Sequence, residues 1–225
     1  DDHTPKFWYH LHDPNDPDPD SAANKALDLV YQSAVLDLDY AALRRTMDNL
    51  VAKTRGKTVR VTDPAGTDLS FRMTDRFCLN DGDASRAAMA DANNARDREE
   101  EIPGGALRTI PDQDSASGVM AFDTDPGYPV LGYGLDFRPF MGAGLRIHFE
   151  DGRITRLETD GDQAELDRLW AEQTGDRDRL GEFVLGCNPL LTEVPGSSFL
   201  PYCGFGDGVL RLTIGENVES GGTNE

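Results

Sequence analysis

Lysine is nearly missing from this chain: there are 4 in 225 residues, against 18 arginines, 29 aspartates and 12 glutamates. The net charge is -19, and a surface so acidic repels phosphate, which excludes a nucleic-acid binder and disfavours anionic lipid. No run of about 18 apolar residues occurs, so no transmembrane helix is expected. The stretch from Asp1 to His12 lacks the basic and apolar regions of a signal peptide. Cysteine is scarce and odd in number, at Cys78, Cys187 and Cys203. That spacing is neither a disulfide framework nor a zinc ribbon, and it points to buried thiols in a reducing compartment, the cytoplasm. Phosphate-binding glycine loops, a G-x-S-x-G elbow and an H-E-x-x-H helix are all absent. What remains is enough apolar sequence, 38%, to fold around a core. The aspartate excess fits either a halophile-type hydrated surface or attraction of a cationic partner.

Residues 1–20 read as an extended arm rich in Pro and Asp, because proline fixes φ and removes donors. Phe7, Trp8 and Tyr9 within it require burial. His3, His10 and His12 read as surface residues rather than a metal site. Asp16, Asp18 and Asp20 imitate a calcium loop's alternation but lack its glycine and terminal glutamate. Ser21 caps a helix carrying Leu27, Val30, Tyr31, Ala34 and Val35 on one stripe. A second helix follows Asp39, with Tyr40, Leu43, Met47, Leu50 and Val51 aligned and Gly56 closing it. Residues 58–73 alternate as a β-hairpin around Asp63-Pro-Ala-Gly66. Residues 81–100 read as a loop with one helix, Glu99-Glu100-Glu101 as a solvated acidic face, and 101–105 as a tight loop. Strands are expected at 119–122, 130–137, 145–149, 154–158, 180–185 and 208–214, with an Asp-Gly hairpin turn at 151–152. A helix at 161–174 carries Leu166, Leu169 and Trp170. The fold class is therefore α+β: a helical N-terminal segment followed by a mostly antiparallel, β-rich domain.

Six segments in order then carry a resemblance. Val59-Arg-Val-Thr-Asp-Pro-Ala-Gly-Thr-Asp-Leu-Ser-Phe71 resembles the R-I-T-x-P-x-G-T-D-L-T-F hairpin of the thermophilic metalloaminopeptidase family, aminopeptidase T and its relatives. Glu101-Ile-Pro-Gly-Gly-Ala-Leu-Arg-Thr-Ile-Pro111 resembles its N-I-P-x-G-E-V-F-T-A-P loop, and Ser117 to Asp123 the strand that follows. Ile147-His-Phe-Glu-Asp-Gly-Arg-Ile154 resembles its F-E-D-G-R-V hairpin. Leu180-Gly-Glu-Phe-Val-Leu-Gly-Cys-Asn-Pro189 resembles L-G-E-x-x-x-G-x-N-P, and Gly208 to Asn217 resembles G-T-x-H-I-A-L-G-x-N.

The resemblance implies the metal-bearing, β-rich domain of such enzymes over residues 58–217. Residues 21–57 are then a helical remnant of an N-terminal domain, 218–225 a flexible tail, and the protein a homodimer. It also implies where two metals would sit. The family's loop glutamate falls on Ala106, its L-G-E glutamate on Glu182, its histidine on Arg211, its tyrosine on Val218, and its final His-x-Asp pair beyond Glu225. A methyl group cannot ligate a metal, and a guanidinium will not deprotonate to do so. The expectation is a degenerate site with no metal, no cofactor and no catalytic residue, in which Arg211 neutralises Glu182 in place of a cation. The former cleft, lined by Glu182, Arg211, Asn188 and Tyr202, would bind a peptide, with strand 208–214 as an edge for peptide addition. A precursor peptide of a ribosomal natural-product pathway of crocagin type is one setting. The alternatives are a truncated metallopeptidase or mononuclear-iron dioxygenase, in which His148 or His3 joins Glu182, and a structural or assembly subunit.

Overall fold

A computed structural model describes residues 6–9, 16–90, 96–124, 134–194 and 205–224, with backbone only at 6–9. His3, His10, His12, Tyr202, Cys203 and residues 130–133 lie outside the described residues.

Two capped helices lead. Helix α1 spans Ala22–Leu36, and the Ser21 hydroxyl accepts from the Asn24 N–H. Helix α2 spans Tyr40–Thr54, and the Asp39 carboxylate accepts from the Ala42 N–H. These caps satisfy amide donors that have no partner in a first helical turn. Of the expected stripes, Leu27, Tyr31 and Ala34 in α1 and Leu43 and Met47 in α2 are buried, Val30, Val35, Leu50 and Val51 are half-buried, and Tyr40 is exposed. Fully burying one such side chain contributes roughly 2 kcal/mol.

Strand β1, Lys6–Tyr9, pairs in parallel with β4, Glu99–Ile102. The arm thus has a backbone partner. The remaining strands are β2 Thr58–Thr62, β3 Asp68–Asn80, β5 Ala106–Pro111, β6 Ser117–Ala121, β7 Arg146–Glu150, β8 Arg153–Glu158, β9 Leu180–Gly186 and β10 Leu210–Ile214. They form one eight-stranded antiparallel sheet in the order β10-β9-β5-β3-β6-β7-β8, with β2 beside β3. Strand β3 is the seam. Its first residues pair with β6 and its last with β5, on either side of a register shift between Met73 and Phe77. The 112–115 turn between β5 and β6 bonds both polar groups of Arg72: the Asp112 N–H donates to its carbonyl and its own N–H donates to the Ser115 hydroxyl.

Each arm of the sheet has its own cover. Helix α3, Gln163–Glu172, seats Leu166 in the cluster of Leu69, Phe71, Ile147, Phe149 and Leu157. On the other arm, Ala106 and Val184 share a face with Leu27, Tyr31 and Phe205. Leu107, one residue along and so on the opposite face, packs with Leu43 and Met47 of α2. That is why β9 is buried along nearly its whole length on both sides.

Four expectations need correction. Residues 81–100 hold no α-helix among the described residues, only turns and a 3-10 turn, Arg96–Arg98. Glu101 and Ile102 belong to strand β4 rather than to a loop. Residues 134–137 are irregular, not strand. The acidic run is not a solvated face: Glu100 and Glu101 are 5% and 7% exposed. Strand alternation gives the reason, since Glu100 and Glu101 point to opposite faces of β4 and each meets buried polar groups. The 218–224 tail is folded back onto the sheet, with Asn224 1% exposed.

The hairpin turn at Asp151-Gly152 has both residues at positive φ, 48° and 78°, the geometry that matches strand twist. A Cβ on Gly152 would come within 1.9 Å of the Gln113 carbonyl. Gly152→Ala is expected to lower stability by about 2 kcal/mol or more, read as a lower urea midpoint at unchanged slope.

Candidate functional site

Antiparallel register sets a row of side chains across four strands. Cys78 pairs with Arg108, Arg108 with Val184, and Val184 with Arg211. Directly opposed residues share a face, so two guanidiniums lie on the face that carries Val184. Glu182, two residues from Val184, is on that face as well. Its position is fixed by a register shift in β10 between Leu212 and Ile214. The displaced Thr213 hydroxyl accepts from the Glu182 N–H at 2.6 Å, and Gly181 leaves it room.

Three guanidiniums and three carboxylates meet here. Arg211 Nη2 stands 3.7 Å from Glu182 Oε2, with the two side chains 25% and 7% exposed. Arg108 donates to Glu101, both nearly enclosed. Arg76 donates to Asp97 at 2.8 Å and to the Ser220 carbonyl at 2.6 Å. The Phe205 ring lies between two of the cations, 5.2 Å from Arg108 Cζ and 5.8 Å from Arg211 Cζ. A desolvated guanidinium over an aromatic face gains about 2 kcal/mol. The second oxygen of Glu182 accepts from the Ser220 hydroxyl at 2.8 Å. Arg76, Arg108, Glu182 and Ser220 line a cavity of about 10 Å3 with Cys78, Thr109 and Ile110, the space of roughly one water.

The residues singled out from the sequence do not all come together. Glu182 and Arg211 are in contact, and Arg179, three residues before Glu182 in the chain, pairs with Asp114 at 2.6 Å. Ala106 is opposite Gly186, four residues along β9 from Glu182 and therefore about 13 Å away along the strand. It is fully buried beside Leu27 and Phe205. Asn188 is fully buried too, and its amide donates to the carbonyls of Ala34 and Gly104 at 3.2 and 2.7 Å. Its side-chain oxygen accepts from the Leu190 N–H. Asn188 thereby ties α1, the 103–105 loop and the turn after β9 together. Val218 is half exposed in the 3-10 turn Val218–Ser220. His148 is on β7, bonded to Glu158 at 2.8 Å. Tyr202 falls outside the described residues.

A divalent ion does not fit this donor set. Guanidiniums keep their protons, and both Glu182 oxygens face protein donors. Among the described residues no group of three or more His, Cys, Asp or Glu side chains is arranged to hold a metal.

Arg76, Arg108, Glu101, Phe205 and Ser220 are the site residues that sequence reasoning missed. One signal was present: Arg108 is the lone charge in the apolar run 106–110, and a lone charge in a buried strand demands a counter-ion.

A second acidic cluster adjoins the site on the other face of β4. Glu100 accepts from the Gly82 N–H at 3.2 Å. Turned to satisfy its neighbours, the Asn80 amide donates to Glu100 at 2.7 Å. Burial, and then the charge of Asp81, push the Glu100 carboxyl up to about 7. Asp81 itself is held by Arg44 at 2.6 Å.

Comparison with known proteins places the fold. No family model matches the chain, and no curated protein matches it. Among solved structures, 2,5-dihydroxypyridine dioxygenase from Pseudomonas putida aligns over 89% of this chain and 54% of its own, at 18% identity and a TM-score of 0.56. AmpT from Thermus thermophilus aligns over 72% of this chain and 37% of its own, at 18% identity and a TM-score of 0.44. The chain spans about half the length of the dioxygenase. The likeness to the dioxygenase is one of fold alone.

Two consequences are measurable. Asn188→Ala leaves buried carbonyls without donors, so it is expected to lower unfolding free energy by about 2 to 3 kcal/mol, read by urea denaturation. A carboxyl whose folded pKa is raised binds its proton more tightly in the folded state. The stability it contributes is full below about 4.5 and is lost as pH climbs through 7. The loss is on the order of 3 kcal/mol. Glu100→Gln is expected to abolish that decline, stabilising the protein at pH 8 and hardly at all at pH 4.5 in paired denaturation curves.

Proposed function

We propose that this protein is a non-catalytic binding protein that holds a peptide beside the Glu182–Arg211 pair, along the outer edge of β10. The observation that carries the reading is the charge arrangement: a guanidinium, not a coordinated cation, faces Glu182 at 3.7 Å. Strand β10 ends the sheet order, and an edge strand offers main-chain donors and acceptors to an incoming strand. Arg211 on that strand is a quarter exposed and so positioned to meet a carbonyl or carboxylate of the ligand. The net charge of -19 draws basic peptides in preference to acidic ones.

Two finer parts of the proposal, an aminopeptidase-like ancestry and a homodimer, rest on the sequence resemblance; a precursor peptide of a ribosomal natural-product pathway is one setting for such a ligand, and no residue specifies it. A cytoplasmic location accords with a thiol, Cys187, kept 4% exposed. No helix among the described residues is long and apolar enough to cross a membrane.

The test is fluorescence anisotropy with a labelled basic peptide and an acidic control at low and high salt. The basic peptide is expected to bind and to weaken with salt. Arg211→Ala is expected to weaken it about tenfold, the loss of one charged hydrogen bond. Binding untouched by Arg211→Ala puts the ligand elsewhere. Stoichiometric zinc, cobalt, manganese or iron in clean protein, or peptide cleavage by it, overturns the reading.

A further inference from the structure

Residues 216–224 form a clasp of their own. The Asn217 N–H donates to the Asn224 carbonyl, the Asn224 N–H to the Asn217 side-chain oxygen, and the Gly222 N–H to the Asn217 carbonyl, at 3.3, 3.0 and 3.0 Å. The two side-chain amides then donate to the sheet: Asn217 to the Gly181 carbonyl, Asn224 to those of Leu180 and Gly215. Gly221, at φ 80°, turns the chain. Gly222 lies so close to the Asn217 side chain that a Cβ would come within 2.0 Å of it. What the clasp presents inward is Ser220, whose hydroxyl donates to Glu182 and whose carbonyl accepts from Arg76.

Two cavities lie on either side of the 220–221 turn, Ser220 lining the inner one and Gly221 the outer. Inside is the 10 Å3 cavity, walled by Arg76, Cys78, Arg108, Glu182 and Ser220. Outside is a groove of about 370 Å3 between the clasp and the 111–114 turn, with Asp112, Gln113, Gly222 and Thr223 on its rim. Arg76 and Ile110 line both. A groove of that size accepts a small ligand or a few peptide residues, and the Ser220 hydroxyl, one residue inside its Gly221 wall, occupies Glu182.

We infer that the cavity and the groove are one binding site, divided by Ser220, and that the asparagine clasp holds Ser220 there as an internal occupant which the ligand displaces. Its chemistry names the ligand class. Whatever replaces it brings a hydrogen-bond donor to Glu182 and an oxygen acceptor to Arg76. Successive peptide groups supply both; for that identity the inference rests on the peptide-binding reading above. The clasp sits on sheet carbonyls through two side-chain amides, so its release leaves the strands intact. Its opening is a local event with a lower cost than global unfolding.

Cys78 reports opening without any ligand. In the full-length protein, iodoacetamide labelling at Cys78 is followed by mass spectrometry, with buried Cys187 as the folding control. Asn224→Ala is expected to speed Cys78 labelling about five- to tenfold, the equivalent of the net hydrogen-bond energy removed, while Cys187 stays protected. If Cys187 becomes reactive in that variant, Ser220→Ala, which removes only the occupant's hydroxyl, takes its place with the same expectation. Unchanged Cys78 labelling in a variant that protects Cys187 overturns the inference, whatever the peptide result. Faster labelling together with basic-peptide binding about tenfold tighter than wild type supports it. Faster labelling with no peptide binding supports the displaceable occupant and removes only the peptide as its ligand.

Discussion

Arg108 is a cation that cannot be discharged, enclosed to 3% exposure in the middle of an apolar strand. A guanidinium in that position must be given an anion, and the surrounding structure follows from that need. Glu101 supplies the anion, which requires β4 to lie against β5. Phe205 supplies an aromatic face, which requires the turn after β9 to fold back over the sheet. The same ring serves Arg211, and Arg211 brings in Glu182. Breaking such a buried pair costs about 3 to 5 kcal/mol, while replacing it whole by apolar groups is often neutral. The network therefore fixes which strands are neighbours more than it adds to stability.

Its placement also divides one sheet face in two. Toward Gly186 the face is apolar, with Ala106 and Val184 beneath α1. Toward Leu180 it is charged and covered by Ser220. Two irregularities allow this: the shift in β3 between Met73 and Phe77, which turns the strand from one arm of the sheet to the other, and the shift in β10 that frees the Thr213 hydroxyl for Glu182. A regular ladder would have supplied neither.

Local signals in the sequence carried the local structure. Ser21, Asp39 and the Asp151-Gly152 dipeptide mark the two leading helices and one hairpin because capping and turn geometry act within a few residues. The periodic stripes of α1 and α2 are legible for the same reason. The site was only half legible. The pairing of Glu182 with Arg211 was expected from the resemblance, whereas Arg76 and Arg108 come beside Glu182 only through register between strands distant in sequence. Glu99-Glu100-Glu101 reads as a solvated run because composition says nothing of what covers it. The Gly-rich tail reads as free because two asparagines 7 residues apart have no periodic signature, yet between them they satisfy carbonyls of Leu180, Gly181 and Gly215.

Glu100 and Glu101 show what that network decides. They are adjacent, equally buried and chemically identical, and alternation alone sends them to opposite faces of β4. One meets a guanidinium. The other meets Asp81, whose own charge already has Arg44, and so its carboxyl rises to about 7. Cations placed inside the protein are the scarce resource, since the chain has only 22 against 41 acids. Arg76, Arg108 and Arg211 are spent on interior or half-buried carboxylates. Each is withdrawn together with a carboxylate, so the surface keeps its excess of acids over bases. A cationic ligand approaching from solvent meets that field first, and Arg76 is the guanidinium that lines the groove it then enters.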